Sequence, residues 1–311
     1  MLQVTFQSMP FRCANRALPR IALLISVLFS GLLLGRDAAA QTNLVDLELV
    51  LAIDISGSID DEEARLQRDG YLAAFQHPDI LSAIRTGAHG RIALTYIEWA
   101  GDHTRKTVAD WTILQDEASA EALIQTISAS QLTIGMWTSI SGAIEYGREK
   151  FRQSPYKGKR RVIDISGDGP NNHGDLVLSA RDRAIKEGIV INGLPIVNNK
   201  PSRWGLPQLP HLDLYYEDCV IGGQAAFIIV ANTFHDFARA IRQKLILEIA
   251  SRMPEKPVIE FASAGARLPA WRTAFVAPRS WDQRLLLLPV DMPKRPDCLQ
   301  GERQMRTWRD K

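Results

Sequence analysis

The segment Leu47–Ile59 decides the fold, and it reads Leu-Glu-Leu-Val-Leu-Ala-Ile-Asp-Ile-Ser-Gly-Ser-Ile. Its apolar first half is typical of a buried strand. The strand leads into Asp54, Ser56 and Ser58, three oxygen-bearing side chains spaced two residues apart. At a strand end this spacing can turn the side chains toward one point, and Gly57 permits a sharp turn between the two serines. Carboxylate and hydroxyl oxygens are hard donors, which favours Mg²⁺ or Mn²⁺ over softer metals.

Two further segments supply candidate ligands, because three oxygens are too few for a hard cation. Thr138 lies in front of a helical pattern over Ser139–Arg152. Asp168 follows a predicted strand over Val162–Ser166, and a glycine on each side of it permits a tight turn. The carboxyl ends of parallel strands lie at one edge of a sheet, where ligands bind beside the topological switch point. We therefore expect Asp54 and Asp168 to meet from neighbouring strands, with Thr138 arriving from a third loop.

Strand and helix patterns alternate along residues 45–252, which predicts a mostly parallel sheet covered by helices on both faces. The predicted strands are Leu47–Ile53, Arg91–Trp99, Thr104–Ile113, Val162–Ser166, Ile189–Val197 and Ala226–Ala231. The predicted helices are Asp61–Phe75, a short one over Ile80–Ile84, Ser119–Ile127, Ser139–Arg152, Asp175–Glu187, Leu212–Asp218 and Phe234–Ala250. The connection between the second and third strands is too short for a helical crossover and suits an antiparallel pair. The predicted fold class is α/β, a doubly wound six-stranded sheet with one antiparallel edge strand.

Three features, in their order along the chain, resemble the metal-ion-dependent adhesion site (MIDAS) of von Willebrand factor A (VWA) domains. They are Asp-x-Ser-x-Ser at 54–58, Thr138 with Ala143-Ile144 behind it, and Asp168-Gly169 after a strand. The resemblance implies that Ser56 and Ser58 bind the metal directly. It implies that Asp54, Thr138 and Asp168 bind it directly or through water. One coordination position is then left open, and an acidic side chain of a protein partner would fill it.

Three other short segments of the chain resemble those of an uncharacterised family of exported bacterial proteins that carry a VWA-like domain. The segments that carry this resemblance are Glu98-Trp99-Ala100-Gly101, Gly167-Asp168-Gly169-Pro170-Asn171-Asn172 and Cys219-Val220-Ile221-Gly222-Gly223. Position 167 departs from the VWA pattern, because Gly stands where such domains usually carry Thr or Ser. That position is not a principal ligand, so the predicted ligand set is unchanged.

The first forty residues are predicted to be a signal peptide. A basic stretch up to Arg20 precedes the apolar run Ile21–Leu34, and Ala38-Ala39-Ala40 suits cleavage after small residues. The apolar run is short for a membrane span, although an uncleaved N-terminal anchor is the alternative. Cleavage near Ala40 predicts export to the periplasm or outside the cell, with no transmembrane segment left in the mature chain.

Charge and cysteine content limit the classes of function. The formal net charge is +2, but residues 1–40 hold four arginines and one aspartate, so the remainder carries a net −1. This balance gives no electrostatic case for nucleic-acid binding. Cys219 and Cys298 remain beyond residue 40, and an oxidising compartment would permit a disulfide between them. The alternative is a buried Cys219 and a free thiol at Cys298.

The composition changes after residue 252. Residues 253–311 are rich in proline and arginine, and we expect this tail to be poorly ordered or to lie across the surface of the domain.

Within the domain, Asp164 occupies an apolar position of its strand pattern. Because an unpaired buried carboxylate is costly, we expect a basic or hydroxyl group to pair with it.

Several residues near the predicted site allow two interpretations. Trp99 and Trp137 could form an aromatic rim around an open metal position, or they could pack beneath loops. Asn171, Asn172 and His173 could contact a ligand, or they could cap the helix that follows them.

The function predicted from these features is an exported binding module that uses Mg²⁺ or Mn²⁺ to dock an acidic group of a protein partner. The alternatives are an exported metal-dependent hydrolase on a similar sheet, and a structural VWA domain that no longer binds metal. No histidine has a recognisable catalytic pairing and no Gly-x-Ser-x-Gly elbow occurs in the sequence, so we expect no enzymatic activity.

Overall fold

The computed structural model describes residues 43–198, 200–201, 205, 207–233, 236–250 and 294–303, together with the backbone of 259–261. Residues 1–40 lie outside the described residues, so the structure decides neither for the predicted signal peptide nor for the alternative of an uncleaved anchor. Most of the predicted tail also lies outside the described residues. The described residues from Val45 onward belong to one folding unit.

Nine strands are described. They are β1 Leu44–Val45, β2 Glu48–Asp54, β3 Ile92–Trp99, β4 Arg105–Leu114, β5 Lys157–Gly158, β6 Arg161–Gly167, β7 Val190–Pro195, β8 Ile228–Val230 and β9 Ile259–Phe261. Seven of them form one sheet in the order β4-β3-β2-β6-β7-β8-β9. Only the β3–β4 pair is antiparallel. The predicted fold class is confirmed, but the predicted count of six strands is wrong because β9 adds a seventh beside β8.

Helices cover both faces of this sheet. They are α1 Asp61–Gln76, α2 Pro78–Arg85, α3 Glu117–Ala129, α4 Ile140–Gln153, α5 Val177–Lys186, α6 Leu212–Tyr215 and α7 Phe237–Ile249, and a π-helical turn, Tyr216–Val220, continues α6. One hydrophobic core lies between the sheet and α1, α2, α3 and α7. A second core lies between the opposite face and α4, α5 and α6. This is the doubly wound arrangement that the alternating sequence pattern predicts.

The central strand β2 explains why the opening segment of the sequence is so apolar. All seven of its residues are buried, and their side chains enter the two cores alternately. A parallel strand that is covered on both faces needs a continuous apolar run rather than an alternating one. Strand β2 pairs with β3 on one side and β6 on the other, so its carboxyl end is the switch point of the sheet.

Asp164 has a basic partner, Lys244 of α7. Its Nζ lies 2.5 Å from Asp164 Oδ1 and 2.6 Å from a carboxylate oxygen of Glu248, and all three side chains are buried. Asn192 of β7 donates to the same Glu248 oxygen at 2.8 Å. The expectation of a basic partner is confirmed, and the cluster joins α7 to the middle of the sheet.

Two parts of the predicted tail belong to the folded unit. Strand β9 pairs in parallel with β8. Residues 294–303 are held by a disulfide between Cys219 and Cys298, whose Cα atoms are 5.4 Å apart. Residues 294–303 are thus attached covalently to the domain. Of the two alternatives for the cysteines, the structure contains the bridge.

Membrane insertion has no candidate helix in the part of the chain that the structure describes. None of the helices there combines the length and the apolar character that crossing a bilayer requires.

Candidate metal site

The loop after β2 gathers the first three predicted ligands at the switch point. Asp54 ends the strand and is fully buried, and its Oδ1 accepts a hydrogen bond of 2.7 Å from the backbone N–H of Ser56. The hydroxyl oxygens of Ser56 and Ser58 lie 3.1 Å apart. Asp60, not Asp54, caps the following helix, since its side chain accepts from the backbone of Glu62 and Glu63. Asp54 is thus free of a capping role.

Asp168 reaches the same place from the end of β6. Ser58 Oγ donates a hydrogen bond of 2.5 Å to Asp168 Oδ1, which connects residues 110 positions apart in the sequence. The parallel pairing of β2 with β6 produces this contact, because Ile53 is in register with Ser166. The expected meeting of Asp54 and Asp168 from neighbouring strands is confirmed.

Thr138 arrives from the third loop, between α3 and α4. Its Oγ1 lies 3.8 Å from the point where a β-carbon on Gly169 would stand, so it borders the turn that follows Asp168. Two contacts hold this loop in place. Asn172 accepts from the backbone N–H of Thr138 and donates to its carbonyl, both at 2.8 Å. The backbone N–H of Gly135 donates to the carbonyl of Ile55 at 2.8 Å.

The electrostatics of the site are unusual for a protein interior. Burial, and then repulsion from Asp168, raise the pKa of Asp54 well above its ordinary value. Burial also raises the pKa of Asp168 to about 6, although the hydrogen bond from Ser58 lowers it. No basic side chain among the described residues offsets either shift. A bound cation would supply the missing positive charge.

Gly167 and Tyr216 explain the departure from the VWA pattern. A β-carbon at position 167 would lie 2.7 Å from Asp54 Oδ2 and 2.8 Å from the hydroxyl of Tyr216, which is closer than real side chains approach. The tyrosine therefore occupies the room that a Thr or Ser at position 167 would need. Neither Asp54 Oδ2 nor the Tyr216 hydroxyl has a hydrogen-bond partner among the described residues. Both buried atoms lie beside Gly167, next to Asp168 in the sequence.

The predicted aromatic rim is only partly present. Trp99 is fully buried within the core beneath α4, so for this residue the packing interpretation is correct. Its neighbour Glu98 is buried as well and forms an ion pair with Arg68. Trp137 is 40 % exposed beside Thr138, and its ring stacks on His173 with the centroids 6.1 Å apart.

Asn171, Asn172 and His173 have a role that sequence reasoning missed. They do not cap α5, because that helix begins at Val177 and has no side-chain cap at Leu176. Asn171 accepts from the backbone of Ser141, Asn172 binds the backbone of Thr138, and His173 Nδ1 accepts from the backbone of Asp102. Asn171 and Asn172 therefore hold the third loop and the start of α4 against the loop of Asp168, and His173 joins that loop to the connection between β3 and β4. Their clustering after Asp168-Gly169 was a signal, but only the tertiary contacts show what they bind.

Two further residues at the site were missed. Gln67 of α1 donates to the carbonyl of Asp54 at 2.8 Å, and a glutamine within the buried face of a helix could have indicated it. Tyr216 had no comparable signal in the sequence.

The donor set consists of oxygen atoms. It comprises the carboxylates of Asp54 and Asp168 and the hydroxyls of Ser56, Ser58 and Thr138. The described residues contain no cluster of three or more His, Cys, Asp or Glu side chains that could hold a metal. These oxygens fit a hard divalent cation better than zinc, which prefers nitrogen and sulfur ligands. The set offers no thiolate or imidazole for redox-active metals.

Comparisons with known proteins were made for the sequence and for the fold. Residues 44–253 match the family described as "Protein of unknown function (DUF1194)". A search of curated proteins gave no match.

Three solved structures illustrate the likeness in fold. The pilus adhesin SpaC from Lactobacillus rhamnosus GG is 12% identical with a TM-score of 0.50, and the alignment covers 68% of this chain and 31% of SpaC. Proximal thread matrix protein 1 from the mussel byssus, with a zinc-occupied MIDAS motif, is 16% identical with a TM-score of 0.46 and coverages of 66% and 46%. A von Willebrand factor type A structure from Catenulispora acidiphila is 14% identical with a TM-score of 0.42 and coverages of 67% and 43%. The chain thus spans less than half the length of each of these proteins.

The family match and the architecture agree with the resemblance found in the sequence. The sheet order, the single antiparallel strand and the position of the three loops are those expected for a VWA domain. The match over residues 44–253 covers more than half of the chain. The chain has a VWA-like fold and belongs to the DUF1194 family.

Proposed function

We propose that this protein is an exported binding module that holds a divalent cation at the switch point of its sheet and docks an acidic group of a protein partner there. The proposed ligands are Asp54, Ser56, Ser58, Thr138 and Asp168. The proposed cation is Mg²⁺ or Mn²⁺. The open coordination position would accept a carboxylate oxygen from the partner.

One observation carries this proposal: two buried carboxylates share a site that lacks a cationic side chain within the described residues. Three other buried carboxyl groups of the domain do have a cationic side chain beside them. Glu63 pairs with Lys200 at 3.1 Å, Glu98 with Arg68, and Asp164 with Lys244 at 2.5 Å. An uncompensated buried charge is costly, so a site built this way is suited to a cation from solution.

The ligand types support both the metal and the partner. Three of the five proposed ligands are neutral hydroxyls, so the cation would remain electron-poor and attract a further anionic oxygen. Oxygen ligands alone also favour Mg²⁺ or Mn²⁺ over zinc. A partner that offers Asp or Glu at an exposed position has the required chemistry.

Export is supported by two separate features. The basic stretch, apolar run and small residues before Gln41 have the order of a signal peptide. The Cys219–Cys298 disulfide suits an oxidising compartment. Both favour a mature protein in the periplasm or outside the cell.

Calorimetric titration of the mature chain with Mg²⁺ and Mn²⁺ tests the metal. We expect saturable binding by the parent and by Asp182→Ala, which removes an exposed carboxylate of α5. We expect no binding by Asp54→Ala or Asp168→Ala. Equal heats from the parent and both site variants would contradict the proposal.

Two small probes test whether the open position takes a carboxylate. With Mn²⁺ bound to the parent, we expect paramagnetic broadening of the side-chain methylene protons of N-acetylglutamate α-amide, whose only carboxylate is that of the side chain. N-acetylglutamine α-amide has the same shape and no carboxylate, and we expect it to be broadened much less. The same measurement on Asp168→Ala is the control. Equal broadening of the two probes would show that the site does not select an acidic group.

A further inference from the structure

The C-terminal segment 294–303 lies beside the loop that carries Asp168. The Cys219–Cys298 disulfide attaches it to the π-helical turn. Arg295 adds ion pairs to Glu217 at 3.2 Å and to Asp218 at 2.8 Å in the same turn. The segment is therefore fixed at its start, and its following helical turn, 300–303, reaches the loop after Asp168.

Glu302 is the residue of this segment that enters the domain. Its Oε1 accepts a hydrogen bond of 2.8 Å from Asn171 Nδ2 and one of 3.4 Å from the backbone N–H of Val177. Val177 is the first residue of α5, a helix without a side-chain cap of its own, so the carboxylate stabilises its positive end. Gly301 makes this approach possible, since a β-carbon there would stand 2.1 Å from the carbonyl oxygen of Asn171.

Asn171 connects Glu302 with the first turn of α4. Its Oδ1 accepts a hydrogen bond of 2.9 Å from the backbone N–H of Ser141. Its Nδ2 group uses one hydrogen for Glu302 and the other for the carbonyl of Asp175, at 3.0 Å. A carboxylate can only accept, so it requires the amide nitrogen of Asn171 on its side and leaves the oxygen for Ser141. Glu302, together with the backbone of Ser141 and Asp175, thus fixes which way the amide of Asn171 faces.

This orientation matters at the candidate metal site. Asn171 follows Asp168 along the same loop, and Ser141 follows Thr138 into α4. One correctly oriented amide therefore joins two of the three loops that supply ligands. If the amide were reversed, its NH₂ group would face the backbone N–H of Ser141, and two donors cannot form a hydrogen bond. The hydrogen bond that joins the two loops would then be lost.

We propose that Glu302 is a positioning residue for the metal site, delivered from the C-terminal segment by the Cys219–Cys298 disulfide. This inference rests on the proposed function for its effect on metal affinity. Its structural part, the control of the loop that carries Thr138, is independent of any metal.

Three variants separate positioning from simple stabilisation. Glu302→Ala removes the acceptor, whereas Glu302→Gln keeps an oxygen that can accept from Asn171. Glu48→Ala is the matched control, because Glu48 is also buried and also accepts from a backbone N–H, that of Gly158 at 2.7 Å. It lies at the start of β2, at the opposite end of the strand from Asp54.

Backbone hydrogen exchange in chelator is the first measurement. We expect Glu302→Ala to accelerate exchange within residues 138–143, and Glu302→Gln to restore most of the protection. We expect Glu48→Ala to leave that region as in the parent. Unchanged exchange in Glu302→Ala would overturn the inference, as would an increase spread evenly over the whole domain.

Mn²⁺ titration of the same proteins is the second measurement. We expect Glu302→Ala, and the double variant Cys219→Ser with Cys298→Ser, to bind about threefold to tenfold more weakly, since remote supporting residues typically have effects of this size. Glu302→Gln and Glu48→Ala should bind as the parent does. Equal affinity in all variants would overturn the inference but leave the proposed function intact. If the parent itself fails to bind Mn²⁺, the proposed function fails, and the exchange measurement alone decides whether Glu302 positions the loop.

Discussion

Strand β6 connects two buried aspartates whose surroundings differ in one respect. Asp164, within the strand, lies 2.5 Å from the ammonium of Lys244. Asp168, just beyond its end, contacts Ser58 and lies near Asp54, and no cationic side chain among the described residues joins them. The first aspartate is compensated by the protein itself. The second belongs to the site at which we propose that a cation from solution binds.

The largest expected effect comes from removing the internal cation. Lys244→Met would leave Asp164 and Glu248 buried together without positive charge, and we expect a loss of about 3–5 kcal/mol in the free energy of unfolding at pH 7. Urea denaturation measures it. The control is Arg85→Met, which breaks an exposed pair with Glu117 and should cost at most about 1 kcal/mol. A loss as small as that of the control would mean that Lys244 does not compensate this cluster.

Identical substitutions at the two aspartates should differ in their response to metal. At a Mn²⁺ concentration of about 100 times the dissociation constant, binding should stabilise the parent by about 2.7 kcal/mol. We expect Asp164→Asn to keep this increment and Asp168→Asn to lose it. Thermal unfolding with Mn²⁺ and with chelator measures the increment. If both variants lost the stabilisation by Mn²⁺, the cluster around Asp164 would not be separate from the candidate metal site around Asp168.

The pH dependence of stability should report the internal cluster. Burial, and then the charge of Glu248, raise the pKa of Asp164 to about 7, against the lowering influence of Lys244. Tyr71 of α1 and Asn192 of β7 also face this cluster. Since the folded-state pKa lies above the ordinary aspartate pKa of 3.8, the folded protein holds an additional proton between these two pH values. The stability from this group is complete at low pH and is lost as the pH rises through about 7.

Asp164→Asn removes this titration and so isolates it. We expect the unfolding free energy of the parent minus that of the variant to fall between about pH 4 and 7, by up to about 1.4 kcal/mol per pH unit. Urea denaturation in chelator at several pH values gives the difference. A difference that does not change with pH would show that Asp164 keeps an ordinary pKa.

The smallest expected effect concerns the tyrosines beside the two clusters. Tyr216 lies next to Asp54 Oδ2, and Tyr71 lies near Asp164 on the other side of the sheet. We expect Tyr216→Phe to weaken Mn²⁺ binding about twofold to fivefold, since the buried hydroxyl can donate to Asp54 or to a metal-bound water. Tyr71→Phe, the same change at the internal cluster, should leave Mn²⁺ affinity unchanged. Calorimetric titration compares the two, and equal effects would remove Tyr216 from the site.

Much of the fold and the position of the candidate ligands is predictable because the signals are local. A continuous apolar run identifies β2 as a central parallel strand, and Asp60 with Glu63 marks the start of α1. The parallel order of β2 and β6 then brings Asp54 and Asp168 to one edge without further information. Strand β9 was not predictable in this way, because its three residues lie in a segment rich in proline and arginine and are recognised only by their pairing with β8.

The supporting residues of the site were not predictable for a different reason. Glu302 and Asn171 are 131 residues apart, so no local pattern connects them. Lys244 and Glu248 have the i, i+4 spacing of an exposed ion pair on a helix surface, yet both are buried against Asp164. Trp99 ends a strand at the same edge as the site, but its side chain enters the core. In each case the sequence contains the residue, and only the packed structure shows its partner.

The disulfide also determines how mechanical tension would travel through this domain. Cys219 and Cys298 are 79 residues apart and enclose β8, α7 and β9 in a covalent loop. A force applied to the chain beyond Cys298 would pass directly to Cys219, so the enclosed strands and helix would carry none of the load. The force would arrive instead at the π-helical turn that contains Tyr216, next to the oxygen cluster at the end of β2. Pulling on this end of the chain would therefore strain the candidate site before it separated β8 and β9 from the rest of the sheet.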